Sequence, residues 1–540
     1  MGSRVYPESP PLEAVSPRWS ASVPLPARVG AGQWQRVHTR VLLAIVLIGS
    51  LTRVLYVDRP FDHRLLAPWR EADYTQLARN FYRDGLDILH PKIDWRGDTP
   101  GYAEMELPVI PWLGAALYRV FGYHEALLRV PAALFGVLSM FVFAALCRRS
   151  LPPTGALFAA AAFALNPLLI VLGNAMQPDP LMLVLSLVAV ALIWRWQEDP
   201  TFAGLLAAAA ATGAAILAKS PAACVGIVLA YSVMRTLGRR AFTDVRVYAA
   251  ALIALLPPLA WYLWAWRFWH LYGNSLGVSN ESHFIGLDML VPPHFLYGLL
   301  KWETLGVFTP AGWVLAAAAL RVPRRAERAL VWYAAVCLFY VVTARTTADD
   351  WSFYYHGISV APGCLLMGAG LAAFGECAAI PRGRGWLAAH QRWIGRLLAA
   401  GALAGLVVVT GALIHRRDAR GDYLTMWRCA LEFVPYVPAD ERIVAYGGNL
   451  VDELGHPVAH NESMLFGWMD RKGFNYAEEE LSIATLDRIA ARGGRYWVVG
   501  RAELERSHLS DVADAHYRRV AACENRYDLY DLRGSVGRSE

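Results

Sequence analysis

An α-helical polytopic membrane protein with a small α/β domain at its C-terminal end is the fold class this sequence predicts. Three observations carry that prediction. Of 540 residues, 56% are hydrophobic and only 18% charged, where an ordinary soluble domain carries roughly 25% charge. Apolar runs near bilayer thickness recur along most of the chain. After about residue 415 strand-like and helical patterns alternate instead. The composition excludes a disordered protein, a disulfide scaffold and a fibrous rod. The net charge of +6 points to no nucleic-acid partner, because its placement along the chain matters more than its sum.

Residues 1–40 are rich in Pro, Ser and Arg and read as a disordered cytoplasmic leader without the cleavage pattern of a signal peptide. The first apolar run, 41–57, then serves as an uncleaved anchor. Further runs lie near 126–146, 154–174, 181–196, 202–218, 221–234, 247–266, 302–320, 329–344, 357–375 and 396–414, giving about eleven transmembrane helices. Arginines mark alternate loops: Arg148 and Arg149, Arg195, then Arg235, Arg239, Arg240 and Arg246, with Arg321 to Arg328 and Arg382 to Arg396 continuing the series. Residues 268–300 hold no Lys or Arg at all. The positive-inside rule therefore places the basic loops and the N-terminus in the cytoplasm and residues 416–540 outside, with Arg416, Arg417 and Arg420 opposing locally. An Arg- and Ala-rich composition suggests a bacterial inner membrane.

The transmembrane unit, 41–415, contains two outer segments too long for simple connectors, 58–125 and 267–301. In the first, Leu77, Ala78 and Phe81 fall at helical spacing, and the apolar stretch Pro108 to Phe121 contains Pro111. Both read as helices lying in or near the outer interface. Between about 440 and 500, strand-like runs at Arg442–Tyr446 and Tyr496–Val499 flank a helical pattern over Leu481–Ala491. Cys429 and Cys523 fall in this polar part and are able to pair if it faces an oxidising compartment. Cys147, Cys224, Cys337, Cys364 and Cys377 lie in or beside apolar runs, where thiols act as small hydrophobes.

Charges at membrane depth or its rim are expensive, so they mark candidate sites. Asp179, in Met176-Gln-Pro-Asp-Pro180, reads either as a helix cap before Pro180 or as a functional acid. Lys219 closes the apolar run Ala214–Ala218, either snorkelling or functional. Asp73 alone reads as an ordinary loop carboxylate. Glu104 and Glu106 precede an apolar helix and suit its first-turn dipole. Asp349, Asp350, Tyr354, Tyr355 and His356 crowd the entry to the run at 357–375, as a functional cluster or as an aromatic belt.

An ordered set of motifs resembles glycosyltransferase family 39, which includes protein O-mannosyltransferases and the aminoarabinose transferases of lipid A. The set comprises Trp69-Arg-Glu-Ala-Asp-Tyr74 with Ala78-Arg-Asn-Phe-Tyr82, Pro91-Lys-Ile-Asp-Trp-Arg-Gly97, and Gly101-Tyr-Ala-Glu-Met-Glu-Leu-Pro108. It continues through Tyr118-Arg-Val-Phe-Gly122, Leu128-Arg-Val-Pro131, Gln177-Pro-Asp179, Leu217-Ala-Lys-Ser-Pro221 and Tyr354-Tyr-His356. Arg471-Lys-Gly-Phe474 resembles the outer domain of some bacterial members. Two departures stand out. The family's adjacent Asp-Glu is here Glu71 and Asp73 with Ala72 between, and its Lys-Pro-Pro is here Glu106-Leu-Pro108.

The resemblance implies a GT-C fold and transfer of a sugar from a polyprenyl-phosphate donor to a hydroxyl acceptor (lipid, glycan or protein) outside the membrane, with inversion. It implies Asp73 as general base, shared with Glu71 or Glu106, and Glu104 as a secondary acid. Asp179 becomes a second acid that positions the acceptor or a cationic group. Lys219, with Arg345, His356, Tyr354 and Tyr355 behind it, binds the donor phosphate. Loop 267–301, with Trp269, His270, Tyr272 and His283, becomes a lid. No zinc-like spacing or acidic cluster compels a metal, so no cofactor is expected, a divalent ion remaining compatible. A transporter or channel is the rival reading, since carriers also use intramembrane charges. No internal repeat supports it.

Overall fold

The computed structural model describes residues 34–64, 68–173, 175–278, 293–342, 350–375, 386–418, 422–451 and 463–534. Most of the leader 1–40 therefore lies outside the described residues, although helix α1 (Arg36–Val54) already begins inside it. The loop after α1 leads to α2 (Pro68–Asp84) and α3 (Val109–Phe121). The bundle continues with α4 (Ala126–Ser150), α5 (Pro153–Ala164), α6 (Pro167–Leu172), α7 (Asp179–Glu198), α8 (Phe202–Ala218), α9 (Ala223–Leu237) and α10 (Val245–Tyr272). Next come α11 (Pro293–Trp302), a π-helical stretch Glu303–Phe308, α12 (Thr309–Ala319) and α13 (Pro323–Val342). A tight turn, Asp350–His356, leads into α14 (Gly357–Gly375), and α15 (Trp386–Asp418) closes the bundle. Among the described residues, seven helical segments are long and apolar enough to cross a membrane.

Two of the apolar runs are broken helices. The run at 154–174 divides at Asn166, whose Oδ1 caps α6 by accepting from Leu169 N (3.2 Å) and whose Nδ2 donates to Gly306 O (2.8 Å). Carbonyls freed at the end of α5 need donors in apolar surroundings. Arg53, 1% exposed, supplies them, donating to Phe163 O at 2.7 Å and to Ala164 O. The run at 302–320 divides at its π-helical stretch, which ends on Thr309 with φ +60°. Runs of unbroken hydropathy hide both breaks, because hydropathy does not see Asn caps or backbone register.

The segment Ser352–Gly375, which contains α14, is the centre of the bundle, with 89% of its apolar window buried. It packs on α5, α12 and α13. Small residues allow the approach: a Cβ on Gly370 would fall inside the Leu315 carbonyl, and one on Gly368 would press against the Gly155 carbonyl. By contrast α1 and α10 bury only 22% of their windows and present apolar faces outward.

The C-terminal part begins with α16 (Asp422–Phe433) and adds β1 (Arg442–Tyr446), α17 (Met464–Met469), β2 (Gly473–Tyr476), α18 (Ile483–Ala491) and β3 (Gly494–Gly500). Two short helices, α19 (Arg501–Arg506) and α20 (Ser510–His516), precede β4 (Arg518–Cys523) and β5 (Tyr527–Asp531). The sheet order is β2-β1-β3-β5-β4. β1 runs parallel to both β2 and β3, while β5 is antiparallel to β3 and β4. The expected small α/β domain is present, and Cys429 is disulfide-bonded to Cys523, tying α16 to β4.

This domain rests on α2. Gln76 donates to Ser463 O (2.8 Å), Ser463 Oγ to Trp69 O (2.8 Å) and Arg79 to Gly467 O (2.6 Å). Gly97 and Gly473 exchange backbone hydrogen bonds with the neighbouring segments, Gly97 N to Gly473 O and Gly473 N to Asp94 O. Leu77, Ala78 and Phe81 are buried as their spacing predicts. So, however, are Arg70, Glu71 and Asp73 on the other faces. Helix α2 is thus enclosed between bundle, loop and C-terminal domain instead of lying open on an interface. α3 fits the interfacial reading better, with Val120 and Phe121 about three-quarters exposed.

Candidate active site

Where α2, the loop 101–108, the end of α8 and the wall formed by α9, α10 and α13 converge, there is a cavity of about 500 Å³. Arg70, Glu104, Glu106 and Lys219 line its polar end. Leu259, Leu263 and Trp266 of α10 and Phe339 and Val342 of α13 line the apolar remainder, with Tyr262 and Tyr355 between.

Lys219 follows the last turn of α8 in an extended conformation, where Ser220-Pro221 stops the helix. The residue is 3% exposed, and its ammonium reaches both oxygens of Asp179, at 2.9 and 2.8 Å. Snorkelling is therefore excluded, since the head is buried. Asp179 is the first residue of α7, with Pro178 and not Asp179 at the cap position; of the roles open to it, holding a cationic group is the one its geometry fills. The Lys219 ammonium also lies over the stacked rings of Tyr354 and Tyr355, 4.7 and 4.9 Å from their centroids, an arrangement favourable for a desolvated cation.

Arg70 is the second cation in the wall. It donates to Leu276 O at 2.9 Å and stands 3.7 Å from Glu106. Glu106 also accepts from Tyr74 Oη at 2.9 Å. Burial pushes the Glu106 carboxyl up, but Arg70 and Lys219 beside it and the Tyr74 hydroxyl outweigh burial and hold it below the usual carboxylate range. Burial, with Glu106 beside it, drives the Tyr74 hydroxyl far the other way, so it serves as a donor only.

Glu104 faces the same cavity and accepts from Ser275 Oγ at 2.9 Å. Its backbone brackets the segment after α10, accepting from Leu276 N and donating to Asn274 O.

Of the remaining sequence candidates, Asp73, Glu71 and His356 fall outside the cavity wall. Asp73, 0% exposed, is not part of the cavity wall; its Oδ1 accepts from Trp95 Nε1 at 2.8 Å. Glu71 is committed to Arg129 on α4 at 3.1 Å, a buried pair that joins two helices. His356 is fully buried, engages Glu303 at 2.7 Å and does not line the cavity. Tyr354 and Tyr355 touch Lys219 as rings under its charge. Arg345, Asp349 and His283 lie outside the described residues. Trp269, His270 and Tyr272 belong to α10 itself, which runs on to Gly273 at φ +70°; of the lid segment, Gly277 and Val278 line the cavity. Among the described residues no group of three or more His, Cys, Asp or Glu is placed to hold a metal ion.

Sequence reasoning overlooked Arg70, although it lies inside the Trp69–Tyr74 motif, and Glu303, although it lies inside an apolar run. The signal for both was available, because each is an ionisable residue next to acids or within a span.

The sequence pattern of the family described as dolichyl-phosphate-mannose-protein mannosyltransferase matches residues 99–264. That stretch includes Glu104, Glu106, Asp179 and Lys219. No curated protein matches the chain. In fold, the chain is similar to ArnT from Cupriavidus metallidurans in the apo state, with a TM-score of 0.58 at 17% identity over 92% of this chain and 98% of that one. The same protein bound to undecaprenyl phosphate gives 0.54 at 18% identity over 95% and 100%. The archaeal oligosaccharyltransferase AglB from Archaeoglobus fulgidus, in complex with an inhibitory peptide and a dolichol-phosphate, gives 0.58 at 14% identity over 87% and 70%. The GT-C fold of membrane glycosyltransferases, implied by the sequence motifs, is thereby borne out.

Proposed function

We propose that this chain, built on the GT-C glycosyltransferase fold, moves a sugar from a polyprenyl-phosphate carrier to a hydroxyl of an acceptor on the membrane face where its C-terminal domain lies. One observation carries the reading: a single cavity joins a polar end holding Arg70, Lys219 and Glu106 to an apolar wall from α9, α10 and α13. A phosphate head and a lipid tail need those two surroundings side by side. That a fold neighbour carries undecaprenyl phosphate supports the same ligand class. The Cys429–Cys523 disulfide and the arginine pattern both favour an extracytoplasmic C-terminal domain.

In the proposed reaction the acceptor oxygen attacks the anomeric carbon as the bond from that carbon to the phosphate oxygen breaks. Polyprenyl phosphate leaves, and the acceptor proton passes to a carboxylate. Lys219 spends two of its three donors on Asp179, and Arg70 has more donors than its two partners take. The remainder offset the charge that grows on the departing phosphate. Of the two carboxylates that line the cavity, Glu106 is the one beside Arg70 and Lys219, and we assign it the role of base in place of Asp73. Its lowered pKa keeps it ionised and so able to accept the proton, which the acceptor hydroxyl releases as its oxygen bonds to carbon. One displacement inverts the anomeric centre.

The test is single-turnover transfer from a polyprenyl-phosphate-sugar to its acceptor. Glu106→Gln is expected to lower the rate by about 10² or more while undecaprenyl phosphate binding persists. Asp73→Asn is expected to stay within about ten-fold of the parent. The reverse order returns the base to Asp73, and retention of anomeric configuration would rule out the one-step displacement.

A further inference from the structure

Glu303 is 3% exposed, lies within the bundle and has four hydrogen-bonding partners. Tyr333 Oη donates at 2.7 Å, Tyr340 Oη at 3.0 Å and Ser359 Oγ at 2.8 Å, and His356 Nδ1 lies at 2.7 Å. It also opens the π-helical stretch Glu303–Phe308. Such stretches are rare and recur at functional sites, and an ionisable residue inside a span calls for a functional reason. Nothing in the proposed transfer uses it directly, since it does not line the cavity.

Its neighbours supply the reason. Lys301 donates to Asp350 at 2.7 Å, and Trp302 Nε1 donates to the same carboxylate at 3.0 Å. Trp302 also packs on Phe353, with ring centroids 5.1 Å apart. Three consecutive residues, Lys301, Trp302 and Glu303, therefore hold both ends of the turn Asp350–His356. That turn carries Tyr354 and Tyr355, whose rings lie under the Lys219 ammonium. The ring of Tyr340, another donor to Glu303, lies tilted beside that of His356, with centroids 4.8 Å apart.

We infer that Lys301-Trp302-Glu303 is a clamp, with Glu303 as its buried anchor, that positions the Tyr354–Tyr355 platform and through it the Lys219 ammonium at the donor phosphate. The clamp acts through other residues and touches no reacting atom. This inference rests on the donor-site reading given above.

The experiment measures undecaprenyl phosphate binding by the full chain in lipid nanodiscs. Glu303→Gln puts an amide donor among three hydroxyl donors and is expected to weaken binding about ten-fold, raising the apparent KM for the donor and leaving that for the acceptor unchanged. In a background of Tyr354→Leu with Tyr355→Leu, Glu303→Gln is expected to weaken binding no further, because the platform it positions is gone. Additive losses in that background would overturn the clamp, as would a folded Glu303→Gln protein that binds like the parent. Should Glu303→Gln fail to accumulate, Ser359→Ala and Tyr340→Phe each remove one donor, with about three-fold weakening expected and again none in the platform-deleted background. Parental binding by both would likewise overturn it. Lys219→Met separates the two readings: if it binds undecaprenyl phosphate like the parent, the donor site itself is wrong. If it loses binding while Glu303→Gln does not, only the clamp fails.

Discussion

Asp179 and Glu303 are buried carboxylates in one bundle, stabilised in opposite ways. Asp179 has a full counter-charge, Lys219, at both oxygens. Glu303 is surrounded by hydroxyls and an imidazole and has no Lys or Arg within ion-pair distance among the described residues. The difference teaches where the fold commits charge to chemistry. A buried ion pair contributes little net stability over an apolar replacement, because desolvation offsets the attraction. Its presence at the cavity wall is therefore better explained by what Lys219 does there than by stability. Polar donors around Glu303 build a rigid node without placing a second charge in lipid-like surroundings.

The largest effect expected from that contrast comes from splitting the pair. Lys219→Met leaves Asp179 buried without its cation and is expected to cost about 3–5 kcal/mol of stability, read as a lowered melting temperature in detergent. Adding Asp179→Leu should restore most of the loss while transfer activity stays absent. If the double variant is as unstable as the single one, the pair is structural and the contrast with Glu303 disappears. Glu303→Gln should cost less, about 1–3 kcal/mol.

Asp94, at the seam between the first loop and β2, is a third case and sharpens the comparison. It is 2% exposed, and its oxygen accepts from Asn80 Nδ2 at 2.9 Å. Burial, only partly opposed by that hydrogen bond, pushes its carboxyl up to about 6. The folded chain then keeps this proton up to about pH 6, whereas the unfolded chain loses it near pH 4. Stability should fall as pH rises through that window, by about 3 kcal/mol, and level off above it. Asp94→Asn should flatten the dependence, as followed by thermal unfolding at pH 4, 5, 6 and 7. An unchanged slope would assign it to other groups.

The last expected effect, of the same size as that of Glu303→Gln, is in packing behind the Glu303 node. Gly370→Ala sets a methyl against the Leu315 carbonyl and should cost about 1–3 kcal/mol, with donor affinity reduced if α14 shifts and carries its turn with it. Gly226→Ala, which meets nothing nearby, is the control that should leave the melting temperature in place.

Much of this architecture was legible in the residues alone. Apolar runs located the bundle, and the alternation after residue 415 announced the α/β domain. Asp179 and Lys219 stood out because charge at a span end is rare. Their pairing was not legible, since α7 and α8 bring together residues 40 positions apart, and no periodicity encodes that. Asp73 was favoured over Glu106 by its place in a motif, yet only the path of loop 85–108 decides which carboxylate meets the cavity and which meets Trp95. Arg53 and Glu303 were passed over because single charges barely lower the hydropathy of a run. The helix breaks that explain them, at Asn166 and at Glu303–Phe308, depend on hydrogen-bond partners from distant helices. The expected lid over 267–301 fails in its first part because α10 continues to Tyr272.

The most direct test titrates undecaprenyl phosphate into the purified chain in nanodiscs and compares the parent with Arg70→Met and Lys219→Met. Saturable binding by the parent that drops at least about ten-fold in each variant is the expected result. Equal binding by all three would mean the carrier docks elsewhere and that the two cations serve some other purpose.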